Sequence, residues 1–378
     1  MGIAFVGCGF VADFYAANLP LHPQLALVGV FDLAGSRAAS LAARHRVRVY
    51  DTLNALLADP SVDIVVNLTN PASHFAVSRA SLSAGKHVYS EKPLATTLAD
   101  AENLVALAQA AGVRLAGAPC GLLGESLQAL RRLLGQAGIG RVRAIYAELD
   151  DGPVHLMHPQ DWASPEGAPW PWRDEFQTGC VLEHAAYHLS WMVALFGPAR
   201  SVTAVSACLA PDKHPDLPGA DCGPDFSVAC VAFESGPVAR LTCSTVAPHD
   251  RSVRVIGEHG MLQLDEIWHF GAPMRITRFD DLWLRASSYA WLRRHAVTRH
   301  LFALDGSTSE SSPACGWRRR IRRHEMDYLL GVEELAASIR EARPSQLSAE
   351  LALHVTEITL AIHEAGRCGA SVTLTTRL

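Results

Sequence analysis

Residues 3–12, Ile3-Ala4-Phe5-Val6-Gly7-Cys8-Gly9-Phe10-Val11-Ala12, constrain the fold of this chain more than any other stretch. Four apolar residues in a row read as a strand buried on both faces, and Gly7, Cys8 and Gly9 turn it into a helical run through Phe14 to Leu19. The spacing is G-x-G-x-x-A, placed strand–turn–helix, as a dinucleotide fingerprint requires. Gly7 allows the tight turn, Gly9 keeps side-chain atoms away from a pyrophosphate, and Ala12 lets the helix approach the strand. The free N–H groups and positive end of that helix suit phosphate charge. Gly7, Cys8, Gly9, Phe10 and Val11 are therefore expected to line a cofactor. A second strand, Leu25 to Phe31, ends at Asp32, about twenty residues past the glycines, where an acid takes the ribose hydroxyls. A plain turn residue is the other reading of Asp32. A carboxylate there repels a 2′-phosphate, so NAD is expected, with NADP kept open by the nearby Arg37.

Strand and helix patterns continue to alternate. Val47 to Tyr50 and Asp63 to Leu68 read as strands, Ala72 to Ala84 as a helix closed by Gly85, and Lys86 to Ser90 as the next strand. Thr97, with Asp100 three residues on, caps a long helix ending near Gly112, and Val113 to Ala116 completes the series. The first 118 residues thus predict an α/β, doubly wound parallel sheet.

From residue 119 to 378 the rhythm changes. One helix is expected over Leu122 to Gln136. The stretches Val142–Leu149, Arg200–Ala207, Phe226–Phe233, Val238–Val246, Ser252–Ile256 and Met261–Leu264 alternate like half-buried strands, several joined by hairpin-like turns. They predict an α+β second domain with a large, mostly antiparallel sheet, open or packed on helices. Glu266 to Cys315 carries no assignable period. Helices are expected at His324–Glu341 and Ala349–Ala365, with a short last strand at Ser371–Thr375.

Composition narrows the function. A net charge of −5 spread over 378 residues argues against nucleic acid or an anionic membrane as the main partner. No stretch is long and apolar enough to span a bilayer, and no basic leader precedes the first strand, so a cytoplasmic location is expected. Nine cysteines without C-x-x-C spacing read as reduced thiols, with Cys8 a small filler in the glycine turn.

The run Thr69-Asn70-Pro71-Ala72-Ser73-His74, then Ala84-Gly85-Lys86-His87-Val88 and Glu91-Lys92-Pro93-Leu94-Ala95, resembles the Gfo/Idh/MocA oxidoreductases (glucose–fructose oxidoreductase, inositol dehydrogenase and MocA), and the similarity extends in order along nearly the whole chain. The resemblance implies a Rossmann domain over residues 1–118. It also implies a substrate-binding and oligomerisation domain over 119–378, whose open sheet makes a homodimer or homotetramer. Nicotinamide-dependent chemistry on a sugar, cyclitol or related small polyol follows from it. By the same resemblance Thr69, Asn70, Pro71 and His74 line the cofactor, and Glu91 and Lys92 sit beside nicotinamide ribose and substrate. A lysine suits that place, because its ammonium can donate to the reacting oxygen and stabilise negative charge. Pairing with Glu91 alone is its bland alternative.

A second matching piece, Gly179 to His188, resembles the family's glycine-rich entry to a helix bearing D-x-x-x-H. His188 falls on the family's acid/base histidine, and His184 stands where an aspartate is usual. An imidazole cannot supply an aspartate's fixed negative charge. Glu183 and Tyr187 form a second i, i+4 pair, turned about 100° around the helix, and are candidates to assist or to touch substrate. H-x-x-x-H is also metal-ligand spacing, with Glu183, His155 and His158 as further donors, but the resemblance implies no metal. Residues 118–125 are small and apolar where many relatives are polar, which points to a bulkier or less polar ligand. Trp172 and Arg173 are expected either to hold substrate or to fill a proline-braced interface. The basic run Arg318–Arg323 reads as a solvated helix start or a phosphate contact. The resulting expectation is an NAD(P)-dependent dehydrogenase using Lys92 and His188, assisted by His184 and Tyr187. A redox-neutral eliminase, hydrolase or epimerase on the same scaffold is the alternative, and a non-catalytic ligand sensor a third.

Overall fold

The computed structural model describes residues 1–136, 138–302, 304, 307–309 and 326–378. The first sheet holds β1 (Gly2–Val6), β2 (Ala26–Phe31), β3 (Arg48–Val49), β4 (Ile64–Asn67), β5 (His87–Ser90) and β6 (Leu115–Gly117). All pair in parallel, in the order β3-β2-β1-β4-β5-β6. The connecting helices are α1 (Phe10–Asn18), α2 (Gly35–His45), α3 (Leu53–Ala58), α4 (Pro71–Ser83) and α5 (Leu98–Ala111). The strand order reverses between β1 and β4, and open α/β sheets bind ligands at the strand ends of such a switch point. Local rules place the ends: Thr97 Oγ1 accepts from the Asp100 N–H at 3.2 Å, and Gly112 closes α5 at φ +67°.

The chain then enters α6 (Glu125–Gln136), β7 (Val142–Asp150), α7 (Trp172–Thr178) and α8 (Cys180–Phe196). Next come β8 (Ala199–Ala207), β9 (Phe226–Phe233), β10 (Val238–Ser244), β11 (Val253–Gly257), β12 (Gly260–Leu264) and β13 (Met274–Arg278). Three short helices, α9 (Asp281–Ser287), α10 (Ala290–Arg294) and α11 (Ala296–Leu301), precede β14 (Ser307–Ser309). The chain closes with α12 (Leu330–Arg340), α13 (Ala349–Cys368) and β15 (Val372–Thr373). The second sheet runs β14-β13-β12-β11-β7-β10-β9-β8-β15, antiparallel except where β10 lies parallel to β7. One face is buried under helices, as the alternating burial of β9 shows, and the other stays open.

Several expected boundaries move for identifiable reasons. The helix expected from Leu122 starts at Glu125, because Gly124 is extended and packs so close that a Cβ would meet the Phe270 ring at 2.8 Å. β10 stops at Ser244, whose hydroxyl takes the N–H groups of Val246 and Ala247 at 3.0 and 2.9 Å and turns the chain. Among the described residues α12 begins at Leu330, the expected start at His324 lying outside them, and α13 continues to Cys368. The last strand shrinks to two residues because the Glu357 carboxylate captures the N–H groups of Thr375 and Thr376. The run Arg318–Arg323 lies outside the described residues.

α13 joins the two sheets. It packs on α8 and β8 and also on α5 and β6. At β6 the approach is close enough that a Cβ on Gly117 would meet the Ala352 Cβ at 2.7 Å. One apolar core therefore runs from Ile3 and Phe5 through Tyr89 and Cys120 to Leu189, Trp191 and Ile358.

Candidate active site

The glycine turn has the shape a pyrophosphate needs. Gly7 has φ +94°, and a Cβ there would strike the Leu68 carbonyl oxygen at 2.6 Å. Gly9 is different: its φ of −91° suits any residue, and nothing lies within 4 Å of where a Cβ would project. Protein packing does not ask for glycine at this point, whereas a ligand approaching the backbone does. No side chain caps α1; the Ala12 N–H turns back to the Gly9 carbonyl at 3.1 Å, and the start of the helix is otherwise uncapped by side chains. The residues present thus fit a dinucleotide phosphate at Gly7, Cys8, Gly9, Phe10 and Val11.

Asp32 braces this turn. One carboxylate oxygen accepts from the Cys8 N–H and the other from the Ala34 N–H, both at 2.7 Å. Two bonds leave lone pairs with which a ribose diol is compatible, so the observed turn role does not exclude the expected one. Arg37 is exposed on the first turn of α2. The Cys8 thiol is buried and pushed up to about 12, first by desolvation and then by Asp32, which suits a filler.

At the tip of β4, Thr69 Oγ1 donates to Asn67 Oδ1 at 2.7 Å. Asn70 is exposed before α4, and Pro71 opens that helix. His74 corrects the expectation that it lines the cofactor. It is 1 % exposed, its ring nitrogens lie 2.7 Å from the Pro93 carbonyl and 2.9 Å from the Thr69 carbonyl, and burial lowers its pKa. It staples the Thr69 turn to the Lys92–Pro93 turn, and so positions the groups that do face the cleft.

Lys92 is the centre of that cleft. Its Nζ donates to Glu183 Oε2 at 2.6 Å and lies 5.9 Å from the Tyr187 ring centroid. Glu91 holds the turn from behind, accepting from the Tyr15 hydroxyl at 2.7 Å and the Lys92 N–H at 3.1 Å. Burial alone lowers an ammonium's pKa, but the carboxylates of Glu183, Glu175 and Glu91 outweigh it and raise Lys92 above the usual lysine range. Glu175, half-buried on α7, is pushed up to about 8 by desolvation and then by Glu183. Burial raises the Tyr187 hydroxyl well above the ordinary tyrosine value. The cleft therefore gathers a cation, a carboxylate and two proton-bearing acids.

His188 is not among them. It is 0 % exposed; Nε2 meets the Glu148 carbonyl at 2.9 Å, Nδ1 accepts from Trp191 Nε1 at 3.3 Å, and burial lowers its pKa to about 4. The expected acid/base histidine is thus a core residue tying α8 to β7. Four residues carry it about 6 Å further along α8 than His184, past Lys92 and into the core. His184 lies near the site but turns to Asp151, with Nε2 2.9 Å from Oδ2. Desolvation acts to lower its pKa, and the Asp151 carboxylate reverses that and raises it. The residues facing Lys92 are the second i, i+4 pair, Glu183 and Tyr187, one position earlier than the histidines.

Trp172 and Arg173 also depart from the substrate reading. Trp172 stacks on His214 at 3.8 Å and joins Val154, Phe176 and Leu217 in a small separate core, with the Arg173 guanidinium 5.1 Å from its ring. The domain-interface alternative does not describe Trp172 either, because every member of this cluster lies within residues 119–378. Sequence reasoning missed Glu175, Asp151, Arg251 and Trp268. No local pattern marks them, because they converge from α7, the end of β7 and the flanks of β11 and β12.

Comparison with known proteins decides the family. Residues 1–118 match the oxidoreductase family with an NAD-binding Rossmann fold, and residues 127–263 match the GFO/IDH/MocA C-terminal domain. The chain belongs to the GFO/IDH/MocA family. Its cofactor is accordingly NAD, and it is an oxidoreductase. A trans-1,2-dihydrobenzene-1,2-diol dehydrogenase of Bos taurus is 27% identical over 272 residues, 70% of this chain and 74% of that one. A UDP-N-acetylglucosamine 3-dehydrogenase of Acidithiobacillus ferrooxidans is 36% identical over 148 residues, 39% of this chain and 45% of that one. Among solved GFO/IDH/MocA-like folds, an NAD binding oxidoreductase from Klebsiella pneumoniae superposes with a TM-score of 0.75 at 21% identity, covering 100% of this chain and 99% of that one. The WlbA dehydrogenase from Bordetella pertussis, in complex with NADH and UDP-GlcNAcA, gives 0.73 at 18% identity, covering 99% and 98%.

Proposed function

We propose that this protein is an NAD-dependent dehydrogenase acting on a secondary alcohol or ketone of a compact ring diol or polyol, with Lys92, Glu183 and Tyr187 as its chemical residues. The observation that carries the reading is the 2.6 Å contact between Lys92 Nζ and Glu183 Oε2, made just past the end of β5 and facing the Tyr187 ring. When bound, the nicotinamide supplies the hydride acceptor or donor for the carbinol carbon. The chain's own residues handle the oxygen. Tyr187, protonated at neutral pH, donates its phenolic proton to the developing alkoxide during reduction, and the Lys92 ammonium stabilises the charge left on either oxygen. Glu183 fixes Lys92 and offers its second oxygen to a neighbouring substrate hydroxyl. The walls around this group are aromatic: Trp268 lies 4.9 Å from Tyr187, and Tyr328 bridges to Phe14 and Tyr15 at 5.5 Å. Such walls suit the flat face of a small ring better than a charged nucleotide conjugate. The bovine relative's name points the same way.

Nicotinamide absorbance during turnover tests the reading, with NAD or NADP offered to ring diols, cyclitols, sugars and nucleotide sugars. Turnover of nucleotide sugars alone would refute the substrate class. A second reading has one observation in its favour: Glu175 adds an acid that hydride transfer does not need. A redox-neutral elimination or epimerisation would use it, and would show product without net NADH.

We further assign residues 1–118 to the dinucleotide and 119–378 to substrate and self-association. The open face of the second sheet presents Val205, Val238 and Tyr146, exposed by 69%, 44% and 38%, as an interface for a homodimer or homotetramer. Sedimentation of Val205→Lys tests it, dissociation being the expected outcome. Eight free cysteines among the described residues fit the reducing cytoplasm. No helix among the described residues is long and apolar enough to cross a membrane.

A further inference from the structure

Behind Tyr187 the side chains close a circuit that the proposed chemistry has not yet used. Arg251 sends Nε and Nη2 to a single oxygen of Asp151, at 2.9 and 2.6 Å. The other Asp151 oxygen takes His184 at 2.9 Å. The guanidinium of Arg251 lies 3.6 Å from the Trp268 ring centroid, and Trp268 meets Tyr187 at 4.9 Å. His184 and Tyr187 are three residues apart on α8, so they are neighbours on its surface and the circuit returns to its start.

Its members come from separate elements that are themselves braced. Asp150 and Asp250 exchange backbone hydrogen bonds at 2.8 and 3.0 Å, which fixes Asp151 beside Arg251. The Ile267 N–H donates to the Arg251 carbonyl at 3.2 Å, and Glu266 Oε1 accepts from the Trp268 N–H at 3.0 Å. Asp151 itself is held well below the usual carboxylate range: desolvation opposes this, but the His184 and Arg251 charges prevail. The Arg251 side chain is 17% exposed, and that of Asp151 13%, so the pair is only lightly screened by solvent. Arginine is the residue this geometry requires, because only its planar fork can serve one carboxylate oxygen twice while lying flat on an indole.

We infer that Arg251 is a positioning residue of the active site, setting the Tyr187 ring against Lys92 through Trp268 and holding the His184 imidazole through Asp151. The inference rests on the assignment of Tyr187 as proton donor, and no other part of the proposed function uses Arg251. A tilt of the Tyr187 ring moves its hydroxyl relative to Lys92, and misplacement of a reacting group by about 1 Å costs on the order of 100-fold in rate.

The test compares Arg251→Met, Arg251→Lys and Trp268→Phe with the unaltered protein. Tyrosine is labelled with carbon-13 at its ζ carbon, and the Tyr187 signal is identified by its loss in Tyr187→Phe. The inference expects that signal to shift and broaden in Arg251→Met while other tyrosine signals stay in place and NADH still binds. In Arg251→Lys, which keeps a charge for Asp151 but not the flat stack, the change is intermediate. Trp268→Phe keeps an aromatic spacer and moves the signal least. With a ring diol as substrate, kcat falls about 10- to 100-fold in Arg251→Met, and KM for NAD stays within about twofold. A Tyr187 signal identical in all four proteins, or kcat in Arg251→Met within about twofold of the unaltered enzyme, overturns the inference. If Tyr187→Phe retains full activity, the proton-donor assignment fails instead, while the NMR comparison still decides whether Arg251 orders that ring.

Discussion

The glycine turn after β1 and the helix α8 carry the two halves of the candidate site, yet their sequences encode them to different depths. In the turn, the glycines themselves announce the conformation, although the groups that enforce it, Leu68 and Asp32, come from the ends of later strands. Gly7 is required by a positive φ and the Leu68 carbonyl, whereas packing leaves Gly9 open space that only an approaching ligand would fill. On α8 the outcome depends on the helix's rotation, and a shift of one residue decides which pair meets Lys92. The fold brings Glu183 and Tyr187 to the lysine and sends His188 to the core. A turn is legible from its own residues, whereas a helix face is legible only against what it packs on.

The largest expected effect removes the cation that α8 contacts. Lys92→Ala should lower kcat/KM by about 100- to 1,000-fold, the scale for losing a charge-stabilising donor, while NADH affinity measured by fluorescence titration stays nearly unchanged. A small loss of activity would break the claim that the cleft centres on this lysine. Next comes the pair on α8. Tyr187→Phe should cost about 100-fold or more in kcat with little change in melting temperature. His188→Ala should do the reverse, leaving the Glu148 carbonyl and Trp191 N–H unpartnered at about 1–3 kcal/mol for each group. Steady-state kinetics on the folded fraction, beside denaturant melts, separates the two; equal kinetic loss in both would restore the histidine to the site.

In the other half, Gly7→Ala and Gly9→Ala sharpen the contrast within a single turn. The first should destabilise the fold, since a Cβ meets backbone at 2.6 Å. The second should leave stability within about 0.5 kcal/mol, the usual range for an open surface site, and weaken NADH binding about tenfold. Calorimetry beside NADH titration reads both. The smallest effect is one of pH. His188 has a folded pKa depressed to about 4 from 6.5, so the unfolded chain binds its proton first as pH falls. Its contribution is complete above 6.5 and is lost as pH drops through the folded value, giving a slope in stability across that window. His188→Gln should flatten that slope; an unchanged profile would mean that the imidazole is hydrated.

Much of the architecture could be read in advance. The six parallel strands, the antiparallel second sheet and the caps at Thr97 and Gly112 follow from apolar period, glycine placement and short-range hydrogen bonding. The glycine turn's positive φ was legible for the same reason, whereas Lys92 was singled out by the family resemblance. His74 was expected to line the cofactor but staples two turns, and Trp172 was expected to meet substrate or an interface but fills a separate cluster. In both cases the residue type was informative and its direction was not.

The sequence alone therefore determined the parts whose conformation rests on neighbours a few residues away: the strand–turn–helix fingerprint and the alternating sheet strands. Only the tertiary structure decided which face of α8 looks into the cleft, and that Asp151, Arg251 and Trp268 stand behind it. The physical reason is range. Backbone conformation is set within a helical turn or a hairpin, but a side chain's role is set by burial and by charges that arrive from residues up to a hundred positions away, as Arg251 reaches Asp151.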